Sequence, residues 1–114
     1  MPMTKKGQRW VPYEETLAQP TDPGVVRRIL AYSEDLMCVE NRFEAGAEGK
    51  LHSHPNTQIT YVLEGEFSFT IDGETRIVRK GDTLLKENGV VHGCVCLKPG
   101  ALLDIFTPMR KDFV

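Results

Sequence analysis

The chain has no apolar run approaching the ~20 residues that a membrane helix requires, and its first residues carry lysines with no apolar stretch behind them. Neither a spanning helix nor a secretory leader is expected, so the expected location is the cytoplasm. Cysteine is scarce and odd in number, with only Cys38, Cys94 and Cys96. Three thiols without an export signal argue against a disulfide framework. Cys94 and Cys96 are two apart and share a strand face, but no second pair completes a structural zinc site, so all three read as reduced packing residues. Neither sign of charge dominates: 14 Lys and Arg face 16 Asp and Glu, for a formal net charge of −2. Basic pairs such as Lys5–Lys6 and Arg27–Arg28 are too short to form a track, and no nucleic-acid partner is expected. Amphipathic helices of normal length, internal repeats and low-complexity segments are absent as well. A chain of 114 residues has room for one core and not for two.

What remains is a succession of short strands and turns. Residues 1–23 are polar and carry four of the seven prolines, which predicts an irregular arm. Its aromatics Trp10 and Tyr13 need something to pack on, either the flank of the domain or a partner subunit. From Gly24 the pattern predicts strands at Val25–Tyr32, Leu36–Phe43, Lys50–His54, Gln58–Leu63, Phe67–Ile71, Thr75–Arg79, Thr83–Lys86, Val90–Leu97 and Ala101–Phe106. Asp72–Gly73 is a strong hairpin signal, and Gly65 and Pro99–Gly100 read as breaks between strands. Many short strands at even spacing predict an all-β domain, a closed barrel or jelly roll over residues 24–107, with 108–114 as a C-terminal tail over its mouth.

All three histidines fall in the barrel region. His52 and His54 are one residue apart, so on a strand both point to one face. Gln58 follows beyond Pro55–Asn56, where the chain can bend and bring it in from the next strand. His92 starts a strand after a glycine turn, with Cys94 and Cys96 on its side. A lone histidine is more often a surface or hydrogen-bonded core residue. A His-x-His pair with a third histidine favours a divalent metal site, since imidazole nitrogen suits Ni, Zn, Mn, Fe or Co and a side-chain oxygen can complete the set.

These residues carry a family resemblance. Gly46-x5-His52-x-His54-x3-Gln58-x6-Gly65 resembles the first motif of the cupin superfamily, and Gly81-x5-Glu87-x-Gly89-x2-His92-x3-Cys96 resembles the second. The resemblance implies the cupin double-stranded β-helix with the metal inside the barrel. Glu87 and Cys96 stand where the family usually has Pro and Asn, and Gln58 where it usually has Glu. Three neutral histidines and a neutral amide leave the full charge on a bound divalent ion, which suits Lewis-acid work or the orientation of an anionic ligand.

A narrower resemblance spans nearly the whole chain. Glu48-Gly-Lys-Leu-His-Ser-His-Pro55, Tyr61-Val-Leu-Glu-Gly-Glu-Phe67 and Asp104-Ile-Phe-Thr-Pro-Met-Arg-Lys-Asp-Phe113 are similar to the KdgF pectin-degradation cupins, which also use Gln as the fourth ligand. That similarity implies conversion of 4,5-unsaturated monouronates from pectin or alginate to linear keto-deoxyuronates. It implies metal ligation by His52, His54, Gln58 and His92, a catalytic Asp104, and substrate contacts from Arg110 and Phe106. It also implies a homodimer and a small anionic sugar-acid substrate.

The tail is consistent with this on its own terms. Asp104 and Phe106 share a strand face with Leu102, while Leu103 and Ile105 point away. Arg110 lies past Pro108, where it could fold over the mouth and take a carboxylate with its fork. A metal-dependent dioxygenase and a non-catalytic small-molecule-binding barrel are the competing readings, because one fold hosts many chemistries.

Overall fold

The computed structural model describes residues 4–114; Met1–Met3 of the expected arm lie outside the described residues. Eight antiparallel strands carry the fold: β1 (Gln19–Asp22), β2 (Val25–Tyr32), β3 (Met37–Phe43), β4 (Glu48–His52), β5 (Thr57–Ile71), β6 (Glu74–Arg79), β7 (Thr83–Lys86) and β8 (His92–Thr107). They form one rolled sheet in the order β1-β2-β3-β8-β5-β6, with β4 paired to β8 and β7 to β5. This is the all-β jelly-roll barrel expected from the strand pattern, with single 3-10 turns at Tyr13–Glu15 and Lys111–Phe113. Among the described residues no helix is long and apolar enough to cross a membrane.

The sequence reading is corrected in three places. The arm is not irregular throughout, because Gln19–Asp22 forms β1 and pairs with β2. Gly65 does not end a strand, and Pro99–Gly100 does not separate two. β5 and β8 run unbroken through both points and pair with each other along nearly their whole length. The glycines are there because the two long strands touch where they bend. A Cβ on Gly65 would stand 2.6 Å from the Gly100 Cα, and one on Gly100 would stand 2.1 Å from the Glu64 carbonyl oxygen. Gly65 also has φ +87°, which only glycine adopts at little cost. The register between the strands shifts between Val62 and Phe67, where β5 advances five residues and β8 six, so the net extra residue lies on β8. The Asp72–Gly73 hairpin is as expected, with φ 49° and 81° as a primed turn requires.

Alternation does the rest. Inward residues build one apolar cluster from Val25, Phe43, Val62, Phe67, Phe69, Cys94, Cys96 and Leu102. A second holds Ile29, Met37, Val39, Phe106 and Met109. All three cysteines are free, with Cys94 and Cys96 buried as packing residues. Burial pushes the Cys94 thiol up to about 12, so it is an unreactive thiol at neutral pH. Tyr13 packs on the barrel flank, where its hydroxyl donates to Glu40 Oε1 at 2.6 Å and Arg28 lies over its ring. Trp10 does not; it is 86% exposed.

Candidate metal centre and cavity

Between the two apolar clusters the inward positions turn polar. On β2 Arg27 lies between inward Val25 and Ile29, on β3 Asn41 lies between Val39 and Phe43, and on β8 Asp104 lies between Leu102 and Phe106. Together with Gln58, Lys86, His52 and His92, and with Arg110 and Phe113 from the tail, they line a cavity of about 180 Å³.

The histidines come together through the β4–β8 pairing, in which His52 and His92 are register partners. Their ring centroids are 4.4 Å apart; His54 stands 5.0 Å from His92 and 5.6 Å from His52. One ligand-capable atom from each ring lies within 4.8 Å of the other two. His52 Nδ1 donates to the Lys50 carbonyl at 2.7 Å, and His92 Nδ1 to the Val90 carbonyl at 3.1 Å. A carbonyl only accepts, so each Nδ1 carries the proton and each Nε2 a lone pair. His92 Nε2 and His54 Nδ1 are buried with no hydrogen-bond partner. Burial pushes the His92 imidazole down to about 4, and the neighbouring Lys86 charge works the same way. Burial also holds His54 below the usual imidazole range, aided by the Arg110 charge. Carbonyls behind His52 and His92, burial that keeps His54 and His92 neutral, and the unpartnered His92 Nε2 in front are what a divalent ion requires.

Gln58 is set by its other neighbours. Its Nε2 donates to Asp104 Oδ1 at 2.7 Å and lies 3.3 Å from Thr60 Oγ1. Because Asp104 needs a donor there, the amide oxygen turns the other way, to 3.0 Å from His54 Nε2. Two donor atoms at right angles on one ion, each ~2.1 Å from it, would also be roughly 3 Å apart. The resemblance left open why Gln replaces Glu here, and the structure supplies a reason: a carboxylate would face the Asp104 carboxylate at hydrogen-bond distance.

Asp104 is buried and receives three donors. Gln58 Nε2 and Thr60 Oγ1 reach Oδ1, the latter at 2.5 Å, and Asn41 Nδ2 reaches Oδ2 at 2.7 Å. Behind Thr60 stands Lys86, 1% exposed, whose Nζ donates to Thr60 Oγ1 and lies 4.5 Å from the Phe69 ring centroid. Burial lowers the Lys86 pKa, and the Asp104 charge opposes that. Phe106 meets His54 edge-on at 5.6 Å. Arg110 does fold over the mouth, 5.2 Å from the Phe106 ring, but its fork is engaged by Asp112 at 3.1 and 2.8 Å. The Arg110 guanidinium in turn holds Asp112 below the usual carboxylate range.

The structure therefore brings His52, His54, Gln58, His92, Asp104, Phe106 and Arg110 to one place. Sequence reasoning missed Lys86, Thr60, Asn41 and Arg27. For Asn41 and Arg27 a signal existed: each is a polar residue on an otherwise apolar alternating face, Val39-x-Asn41-x-Phe43 and Val25-x-Arg27-x-Ile29. For Lys86 the adjacent Leu84 and Leu85 hide which face is inward. The cavity's inner charges are Arg27, Lys86 and Arg110 against Asp104; Asp22 and Glu48 at its edge are exposed. That balance favours an anion.

The chain matches the cupin domain family over residues 39–106. It is 40% identical over 103 residues to the pectin degradation protein KdgF of Dickeya dadantii (strain 3937), an overlap of 89% of this chain and 94% of that one. A solved RmlC-like cupin from Shewanella frigidimarina superposes with a TM-score of 0.93 at 36% identity, covering 97% of this chain and all of the other. KdgF from a Halomonas species superposes at 0.88 with 36% identity, covering 94% and 99%.

Proposed function

This chain belongs to the cupin domain family, and from that premise we propose that it is a metal-dependent enzyme acting in pectin or alginate breakdown, converting 4,5-unsaturated monouronates to linear keto-deoxyuronates. The likeness to two KdgF proteins supports the substrate class. The cavity supports its size and charge: about 180 Å³ is below the roughly 300–1,000 Å³ of pockets for drug-sized ligands, which suits a monosaccharide rather than a polymer.

The reaction is an isomerisation and balances without water or a redox partner. The C1 hydroxyl loses its proton, the bond from C1 to the ring oxygen breaks to leave a C1 aldehyde and a C5 enolate, and the enolate gains a proton at C4 to become the C5 ketone. His52, His54, Gln58 and His92 would hold the divalent ion, which when bound supplies Lewis-acid polarisation of substrate oxygens. Asp104 takes the hydroxyl proton and returns a proton to carbon. Gln58, Thr60 and Asn41 fix its carboxylate, and Lys86 fixes Thr60 by occupying the hydroxyl's lone pair, so that the hydroxyl proton points to Asp104. Phe106 packs against the sugar ring, and Arg110 contributes positive charge at the mouth.

The observation that carries this reading is the placement of Asp104, a buried carboxylate one amide away from the histidine cluster. Loss of the unsaturated uronate's ultraviolet absorbance, with purified protein and added metal, tests it. Fast loss that is absent from His52→Ala supports the activity. No loss above the spontaneous rate, with metal bound, discards this substrate.

A further inference from the structure

Arg27 has no assigned role, and its surroundings give it one. β2 faces inward at Val25, Arg27 and Ile29; the first and last enter the two apolar clusters, and Arg27 lies in the gap between them that forms the cavity. Its cross-strand neighbour is Asn41, which holds Asp104. Its guanidinium lies 3.9 Å from the Phe113 ring centroid, and Arg110 lies 4.3 Å from the same ring. The tail aromatic thus joins the two arginines at the mouth.

The two differ in what they hold. Arg110 already grips a carboxylate, that of Asp112, through both arms of its fork. Arg27 makes no hydrogen bond or ion pair among the described residues, and its Nε is buried without a partner. A planar fork with unspent donors, half-buried beside a cavity, is matched by a planar anion. Its backbone neighbour Arg28 shows the contrast. Arg28 faces the flank, donates to the Thr16 carbonyl and hydroxyl, and stacks on Tyr13.

We propose that Arg27 binds the carboxylate of the uronate substrate, with Phe113 holding its guanidinium in place. This rests on the uronate reading and names the residue that selects the acid over a neutral sugar. Arg110, its fork held by Asp112, anchors the tail and adds charge.

The test compares Arg27→Met, Arg27→Lys and Arg28→Met in the absorbance assay, with glucuronate and glucose as competing ligands. Arg27→Met should raise KM by about 10- to 100-fold, with a much smaller effect on kcat, the signature of lost ground-state binding. Arg27→Lys should restore part of that affinity. Glucuronate should inhibit the wild type and lose its effect on Arg27→Met, glucose should inhibit neither, and Arg28→Met should keep the wild-type KM. If the wild type turns over substrate while Arg27→Met keeps its KM and its inhibition by glucuronate, the inference falls alone. If Arg27→Met loses kcat with KM unchanged, or Arg28→Met loses affinity equally, the effect is structural and the inference also falls. If the wild type consumes no uronate, the functional reading falls and takes the inference with it.

Discussion

The cavity has two unlike sides. On one, His52 and His92 are held by backbone carbonyls and strand pairing, and His54 stands beside them against the Gln58 amide oxygen. On the other, Arg27 and Arg110 come from β2 and the C-terminal tail and meet only through the Phe113 ring. Asp104 sits between, tied to the first side by Gln58 and close to the second through Asn41. The first side is built to hold a cation, the second to draw an anion toward it. In kinetic terms the histidine side should govern kcat and the arginine side KM.

The sharpest way to break that division is His92→Ala. It should remove bound metal, measured by elemental analysis of purified protein, and with it essentially all uronate turnover. Retention of a full equivalent of metal would show that the cluster is not the site. Asp104→Asn comes next. It should lower kcat by about 10²–10⁴-fold while metal content stays at the wild-type level, because the carboxylate is assigned to proton movement rather than ligation. Loss of metal in that variant would move Asp104 to the histidine side.

Gln58→Glu tests the amide that joins the sides. A carboxylate there faces Asp104 across the 2.7 Å now bridged by an N–H, so kcat should fall by roughly 10- to 100-fold even if metal is held as tightly. Unchanged kcat would mean that Asp104 tolerates a like charge and is not poised by the amide.

The smallest effect concerns stability. In metal-free protein the His92 imidazole lies near 4 while the unfolded chain binds a proton near 6.5, so the unfolded state takes up protons first as pH falls. Stability is full above pH 6.5 and declines down to about 4. The loss should be on the order of 2 kcal/mol, less than the whole shift because the ring lines the cavity rather than the apolar core. A melting-temperature series at pH 7.5, 5.5 and 4.5 reads it, and His92→Gln should flatten it. Equal slopes would show that burial of His92 does not set the pH response.

The histidine side was legible in the sequence because its information is short-range. His52 ends β4 and His54 follows just past it rather than on the expected strand Lys50–His54. The pair stays together by closeness in the chain, and His92 follows its own turn. The strand pattern gave β2, β3 and β7 within a residue for the same reason. Its errors fell where a glycine serves a contact between distant strands rather than a turn, at Gly65 and Gly100. On the arginine side Arg110 was expected at the mouth, whereas Arg27 was not read, because no local rule joins it to Phe113. The pair Arg27–Arg28 looked like surface charge, and only strand alternation, by sending one arginine inward and the other to the flank, gives them different work. Lys86 escaped for a related reason: a buried lysine is rare, and its presence depends on Thr60 and Asp104 from other strands.

The bend where β5 meets β8 has a genetic consequence. Along β8 the inward residues keep one parity from end to end: His92, Cys94 and Cys96, then Leu102, Asp104 and Phe106. Along β5 the parity flips, from Gln58, Thr60 and Val62 to Phe67 and Phe69. Five steps on β5, from Val62 to Phe67, are matched to six on β8. Loss of a single codon between Val62 and Phe67 would leave four steps, the spacing of a regular strand, so both halves of β5 would keep their inward faces. Loss of two codons would leave three steps and act like a frameshift in three dimensions, turning either Phe67 and Phe69 or Gln58 and Thr60 out to solvent while every residue stayed the same. Deletions in this short stretch should therefore be tolerated better singly than in pairs.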